Sequence, residues 1–151
     1  MAVTVRILKP SDAGLIVSAA PGVFDHAPQM PLTTEFLKDP WHHLVAAIDE
    51  GRLVGFISAM HYLHPDKLTE LWINEVGVAP THQSKGIGAQ LLRTMLDHGR
   101  KLGCVNAWVL TDKANTAAMR LYAGAGGVEV EKPAVMFEFD LGSREPAVGA
   151  S

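Results

Sequence analysis

The stretch Asn74–Ala89 constrains the fold of this chain more than any other. A strand ends in Glu75-Val76-Gly77-Val78, turns at Ala79-Pro80, and passes through Gln83-Ser84-Lys85-Gly86-Ile87-Gly88 into a helix. Gly86 and Gly88 leave no Cβ between an anion and the backbone. The first amides of a helix lack an intrahelical acceptor, and the macrodipole adds positive potential there. Such a helix start binds phosphate groups. The spacing, Q-x-x-G-x-G, lacks the first glycine of the dinucleotide fingerprint and the Gly-Lys-Ser/Thr ending of a P-loop. Taken alone, it is equally a plain helix-entry turn.

The rest of the chain supplies the context. At 151 residues the length prior is a single domain. Thr4–Leu8 reads as a first strand, Ser11 as an N-cap, and Ala13–Ala20 as a short helix before Pro21-Gly22. Thr33–Lys38 offers a second short helix. Leu44–Asp49 and Leu53–Tyr62 flank Glu50-Gly51 as a hairpin, and Glu70–Val78 is the next strand. Ile87, Leu91, Leu92, Met95 and Leu96 put an apolar stripe on a helix over Gly86–Leu102, stopped by Gly103. Cys104–Leu110 is a strand run, and Asn115 caps a helix that reaches Ala123. Val128–Glu131 and Val135–Leu141 read as two closing strands, and Ser143–Ser151 as an aperiodic, frayed tail. The order β-α-(α)-β-β-β-α-β-α-β-β predicts an α/β domain over residues 1–142, one mixed sheet with helices on its faces.

Composition removes several classes of function. A net charge of −3 and a pI near 6.1 do not supply the basic face of a general nucleic-acid binder. Leu53–Pro65, the longest stretch without Asp, Glu, Lys or Arg, is too short to span a bilayer. Neither nucleic acid nor membrane is an expected partner. Met1–Pro10 has no apolar core or cleavage site of a secretory leader. Cys104, the only cysteine, cannot form an internal disulfide, and a cytoplasmic setting is expected on that ground. Seven histidines raise the question of a metal. His42 and His43 point to opposite faces of a strand, His61 and His64 straddle a turn, and no cysteine or aspartate completes a tetrahedral set. No metal is expected.

The C-terminal part of the chain gives the loop its meaning. After the loop's helix and one more strand comes Asn115-x-x-Ala118-x-x-Leu121-Tyr122-x-x-x-Gly126. With the strand–turn–Q-x-x-G-x-G–helix unit, this resembles the GNAT superfamily of N-acetyltransferases, over the whole element order from Thr4 to Leu141. The resemblance implies a GNAT-like fold with a central, mixed, mostly antiparallel sheet. It implies acetyl-coenzyme A as co-substrate and transfer of the acetyl group to a primary amine. Gln83, Ser84, Lys85, Gly86, Ile87, Gly88 and Ala89 would hold the pyrophosphate. Val76, Gly77 and Val78 would pair with the pantetheine arm, and one of the amides would hold the oxyanion of acyl transfer. Asn115 would reach the same arm besides capping its helix. Tyr122 would protonate the departing thiolate, since a phenol of pKa about 10 can donate to a thiolate of about 8.5. Glu75 would take the proton, directly or through water, because an ammonium cannot attack a thioester. A solvated strand carboxylate is the competing reading of Glu75. Gly127 departs from the family pattern, in which an aromatic often comes after the glycine, so packing under the last hairpin is expected to differ.

Gly55–Val78, Ala107–Lys113 and the ending Val135–Leu141 look like the aminoglycoside 3-N-acetyltransferase branch. That likeness implies a small polycationic acceptor, an aminoglycoside acetylated at its 3-amino group, and a role in antibiotic resistance. Asp25, Glu35, Asp39 and Asp140, with Glu75 at the centre, are the carboxylates available to compensate its ammonium groups. Each acid of the early segment reads singly as an ordinary solvated charge. A peptide amine as acceptor, and a coenzyme A-binding domain without catalysis, are the competing readings. The oligomeric state stays open, a homodimer included.

Overall fold

The computed structural model describes residues 2–142. Five strands form one sheet in sequential order: β1 (Thr4–Ile7), β2 (His42–Asp49), β3 (Arg52–Tyr62), β4 (Glu70–Val78) and β5 (Asn106–Val109). Neighbours pair antiparallel except β4 and β5, which run parallel. The helices are α1 (Ala13–Val17), α2 (Met30–Lys38), α3 (Ile87–Lys101) and α4 (Thr116–Gly124). Local chemistry explains the shapes of the turns. Glu50 and Gly51 both take positive φ, 50° and 76°, as a two-residue turn between twisted strands requires. α2 starts earlier than the pattern implied because Pro31 sits in its first turn, where a missing N–H breaks no bond. α1 stops short of Ala20, with the Ser18 hydroxyl donating to the Gly14 carbonyl at 2.7 Å.

The core lies on both faces of the sheet, under α3 on one and under α1 and α2 on the other, where Ile16, Val23, Leu44 and Phe56 are buried. Leu53, Ile57, Leu71, Leu91, Met95 and Val45 are its largest fully buried side chains. The α3 stripe read from the sequence supplies Ile87, Leu91, Leu92 and Met95 to it. Gly99 allows the close approach, since a Cβ there would sit 2.9 Å from Leu71 Cδ2.

The two closing strands do not form. Val128–Glu131 and Val135–Leu141 join no strand ladder among the described residues and lie exposed, Phe139 at 81% and Leu141 at 96%. Alternation only says that a segment suits a sheet, whereas a ladder needs a partner edge in register. The sheet edges, β1 and β5, are each only four residues long. The departure at Gly127 has a local cause. After Gly126 at φ 92°, the Gly127 amide donates to the Tyr122 carbonyl, and a Cβ at Gly127 would lie 2.8 Å from that oxygen. The expected tail, residues 143–151, lies outside the described residues. Among the described residues no helix is long and apolar enough to cross a membrane.

His42 and His43 do point to opposite faces, and His43 enters a chain of imidazoles. Its Nε2 bonds His61 Nδ1 at 2.7 Å, and its Nδ1 bonds His98 Nε2 of α3 at 3.1 Å. Burial first, then the positive charge that His98, His61 and His42 would carry, push His43 down to about 4, with Asp39 opposing weakly. His61 and His98 are lowered too, by burial first. The unfolded chain therefore binds more protons than the folded one between about pH 6.5 and 4. Stability is complete above that window and falls as the pH drops through it. Asp12, held near 2 chiefly by its hydrogen bond to Arg6, loses its contribution only at lower pH. Thermal melts at pH 7.5, 5.5 and 4.5 are expected to show a falling Tm for the native chain. His43→Gln should flatten that fall, and equal slopes for the two proteins would contradict the assignment.

Candidate active site

β4 outruns its parallel partner. Glu70–Ile73 pair with Asn106–Val109 and the pairing stops there, so Asn74–Val78 presents backbone with no strand on the β5 side among the described residues. Such groups need partners from elsewhere. A bulge marks the start of the gap, with Ser58 opposite Glu75 and Ala59 opposite Ile73, leaving Asn74 unopposed. Ser58, Met60 and Tyr62 share one face of β3, and their partners are Glu75, Trp72 and Glu70. Leu71 and Ile73 face α3. An unbroken ladder would have aimed Glu75 there as well. The extra residue turns it to the opposite face, where it is exposed and forms no ion pair among the described residues.

Gly77 has its own reason. A Cβ there would lie 2.2 Å from the Val23 carbonyl oxygen and 2.8 Å from Phe56 Cε1. The segment between α1 and α2 therefore lies directly on the strand, held by the Phe24 ring stacked on Phe56 at 4.1 Å. This is a close backbone approach, and the bulge lies three residues earlier. Asp25 comes directly after Phe24 and is exposed.

The loop into α3 fits an anion. Ser84 and Gly86 both have left-handed φ, 61° and 79°, and α3 has no side-chain cap. Ile87, Gly88 and Ala89 thus offer the first amides of the helix without intrahelical acceptors. The two glycines play different parts. A Cβ at Gly86 would meet open space, whereas one at Gly88 would point at Leu121 of α4, 3.6 Å away. A side chain at Gly88 would thus start against α4, and one at Gly86 would not. The Gln83 side chain donates to the Val78 carbonyl at 3.1 Å, tying the loop to the open end of β4. Lys85 is exposed and lines, with His82 and Gln90, a cavity of about 350 Å³ beside the loop. His82 was not singled out by any motif. Its Nε2 bonds the buried Asp49 carboxylate at 2.7 Å and fixes the turn before the loop to the β2–β3 hairpin.

α4 completes the arrangement. Leu121 of α4 lies next to Gly88, and the neighbouring Tyr122 is half-buried against the core. Burial raises its pKa, so its hydroxyl stays protonated at neutral pH. Asn115 Oδ1 accepts from the Ala118 amide at 3.1 Å, which is the expected cap. The remaining acids are not drawn together. Glu35 sits on α2, and Asp39 accepts from the Trp41 amide at 2.7 Å. Asp140 accepts from Gly142 N at 2.9 Å in the exposed stretch after α4. No motif pointed to Tyr62, Glu70, Trp72 or Trp108, yet these line the same sheet face as Glu75. Their signal was the period-2 spacing of Glu70 and Trp72, hidden by the bulge that shifts Glu75 out of phase.

The mixed sheet with its flanking helices agrees with the family comparison. The acetyltransferase (GNAT) family matches residues 15–126. This chain belongs to the GNAT family. Mycothiol acetyltransferase of Thermomonospora curvata is 35% identical over 111 residues, 68% of this chain and 35% of that protein. N-alpha-acetyltransferase RimI of Mycobacterium tuberculosis is 40% identical over 92 residues, 60% of this chain and 54% of that protein. The matched stretches thus span about a third to a half of these GNAT relatives' length. Among solved structures, an aminoglycoside acetyltransferase from an uncultured soil metagenomic sample superposes with a TM-score of 0.81 at 18% identity. It covers 92% of this chain and 96% of that one. At that identity the likeness shows the fold alone. The relatives do not single out the aminoglycoside 3-N branch expected from the sequence, because local strand likeness reports the fold while acceptors vary within it.

Proposed function

We propose that this chain transfers the acetyl group of acetyl-coenzyme A to a primary amine of a small polycationic acceptor, an aminoglycoside being the leading case. One observation carries the reading. The bulge at Asn74 aims the Glu75 carboxylate onto an open sheet face at the point where β4 loses β5, beside an anion-binding helix start.

The donor fits the residues present. The amides of Ile87, Gly88 and Ala89 suit its pyrophosphate, and the open edge of Val76–Val78 suits a pantetheine amide chain. Bound there, it supplies an activated acetyl thioester. The acceptor ammonium gives its proton to the Glu75 carboxylate, directly or through one water. The freed amine nitrogen bonds the acetyl carbon while the carbon–sulfur bond breaks. The Tyr122 hydroxyl gives its proton to the leaving thiolate, and a second amine proton returns the balance through solvent. Glu75 and Glu70 make this face anionic, which favours a cationic acceptor and steers it in.

The test is thiol release from acetyl-coenzyme A over a panel of a gentamicin-type aminoglycoside, spermidine and a peptide with a free N-terminus. Polycations should be turned over, and kcat/KM should fall between 50 and 300 mM salt as screening grows. The identity to RimI favours a peptide amine as the second reading. Turnover of the peptide with none of the polycations would establish it in place of the first.

A further inference from the structure

The face that carries Glu75 continues along β4 into a connected set of aromatic and charged side chains. Trp72 and Trp108 are direct partners across the parallel β4–β5 ladder, and their rings stack at 5.2 Å with planes 9° apart. The Trp108 indole N–H donates to the Tyr62 hydroxyl, and that hydroxyl donates to Glu70 Oε1 at 3.1 Å. His64 Nε2 approaches the same oxygen at 3.2 Å. Among the described residues Glu70 Oε2 has only the Asn106 side-chain amide, at 3.5 Å, so it keeps acceptor capacity toward solvent. α1 and α2 cover the β1–β3 side of the sheet, and no described element lies over this part of β4 and β5.

A half-exposed indole pair beside a carboxylate with spare capacity is built for a cation. Indole faces attract ammonium groups within about 6 Å, and the carboxylate adds a charge-assisted bond. Glu70 remains ionised because the hydrogen bonds from His64 and Tyr62 lower its pKa. The network also holds the rings in place before any ligand arrives, which reduces the ordering cost of binding. At about 3.3 Å per residue, Trp72 and Glu70 lie roughly 10 and 16 Å along the strand from Glu75. We infer that Tyr62, Glu70, Trp72 and Trp108 form a second-cation subsite of the acceptor, which selects amines carrying another positive charge about 10–16 Å from the reacting nitrogen. The inference rests on the proposed acetyl transfer to a polycation and adds a length requirement that Glu75 alone does not impose.

The experiment pairs direct binding with kinetics. Spermine, a linear polycation of sufficient reach, and ethanolamine, a single charge, serve as probes of the native chain, Glu70→Gln and Trp72→Leu. Glutamine keeps an oxygen acceptor for Tyr62, so Glu70→Gln preserves the fold, and melts check both variants. Calorimetry should show spermine Kd rising about tenfold or more in Glu70→Gln, the scale of one lost charge-assisted bond. The KM for spermine should rise by the same factor relative to the KM for ethanolamine, with kcat changing far less. Tryptophan emission should respond to spermine in the native chain and respond less in Trp72→Leu. Unchanged spermine Kd and an unchanged KM ratio in Glu70→Gln would overturn the subsite while leaving the acetyl transfer standing. Spermine binding that needs Glu70, without turnover of any amine, would keep the subsite and overturn the transfer. No spermine binding and no turnover would overturn both.

Discussion

Glu75→Gln is expected to lower kcat by about 10²–10⁴-fold, the range for a positioned proton-transfer group, with acetyl-coenzyme A affinity nearly unchanged. Glutamine has the same shape, and Glu75 is exposed and free of ion pairs among the described residues, so the fold has no reason to move. The loss has a pH signature. An amine acceptor deprotonates itself as the pH approaches its own pKa, so the variant should regain rate with rising pH while the native chain gains less. Tyr122→Phe should also lower kcat at constant cofactor affinity. It should not show the alkaline recovery, because its missing proton belongs to the leaving thiolate. Thiol-release kinetics from pH 6.5 to 9.5 separate the two. Full rate for Glu75→Gln at neutral pH would remove Glu75 from proton transfer.

The legible parts of this fold were those where local chemistry and tertiary context agree. The α3 stripe of Ile87, Leu91, Leu92 and Met95 is a helix buried on one face, and the structure buries those residues. The Glu50-Gly51 turn names its own geometry. The illegible parts depend on partners far away in sequence. Val135–Leu141 alternates as a strand should, yet a ladder needs an edge, and β5 is four residues long. Alternation cannot report the length of the edge it would join.

The candidate site divides along the same line. Gln83–Ala89 and the Asn115 cap are short-range features, and their geometry comes from glycines, helix ends and one side-chain bond. The face carrying Glu75 is set by a one-residue bulge. A period-2 reading of β4 puts Glu75 with Leu71 and Ile73, whereas the structure puts it with Trp72 and Glu70. The aromatic wall was invisible for that reason and because Trp108 joins it from the parallel strand. Asp49 and His82, 33 residues apart, meet only once the hairpin and the loop entry have folded together.

The second large effect belongs to Gly86, and the structure allows a sharp comparison with Gly88. Gly86 sits at φ 79° with open space where a side chain would begin, so a substitution there clashes with nothing and still strains the backbone. For a non-glycine residue the left-handed region costs about 1–2 kcal/mol, and a β-branched one pays most. The loop can shed that strain only by leaving the conformation that converges the Ile87, Gly88 and Ala89 amides on one point. Gly86→Val is therefore expected to weaken acetyl-coenzyme A binding by about tenfold or more, since the strain must be met on binding or the anion site given up. Gly88 has ordinary helical backbone, and its Cβ would make normal contact with Leu121 at 3.6 Å. Gly88→Ala should keep the affinity and raise helix stability by roughly 0.5–1 kcal/mol. Calorimetric titration with acetyl-coenzyme A, beside thermal melts of both proteins, reads both effects. Equal affinity for folded Gly86→Val and the native chain would mean that the loop's left-handed turn is not part of the anion site. A loss confined to Gly88→Ala would show that the phosphate path runs between α3 and α4 and not over Gly86.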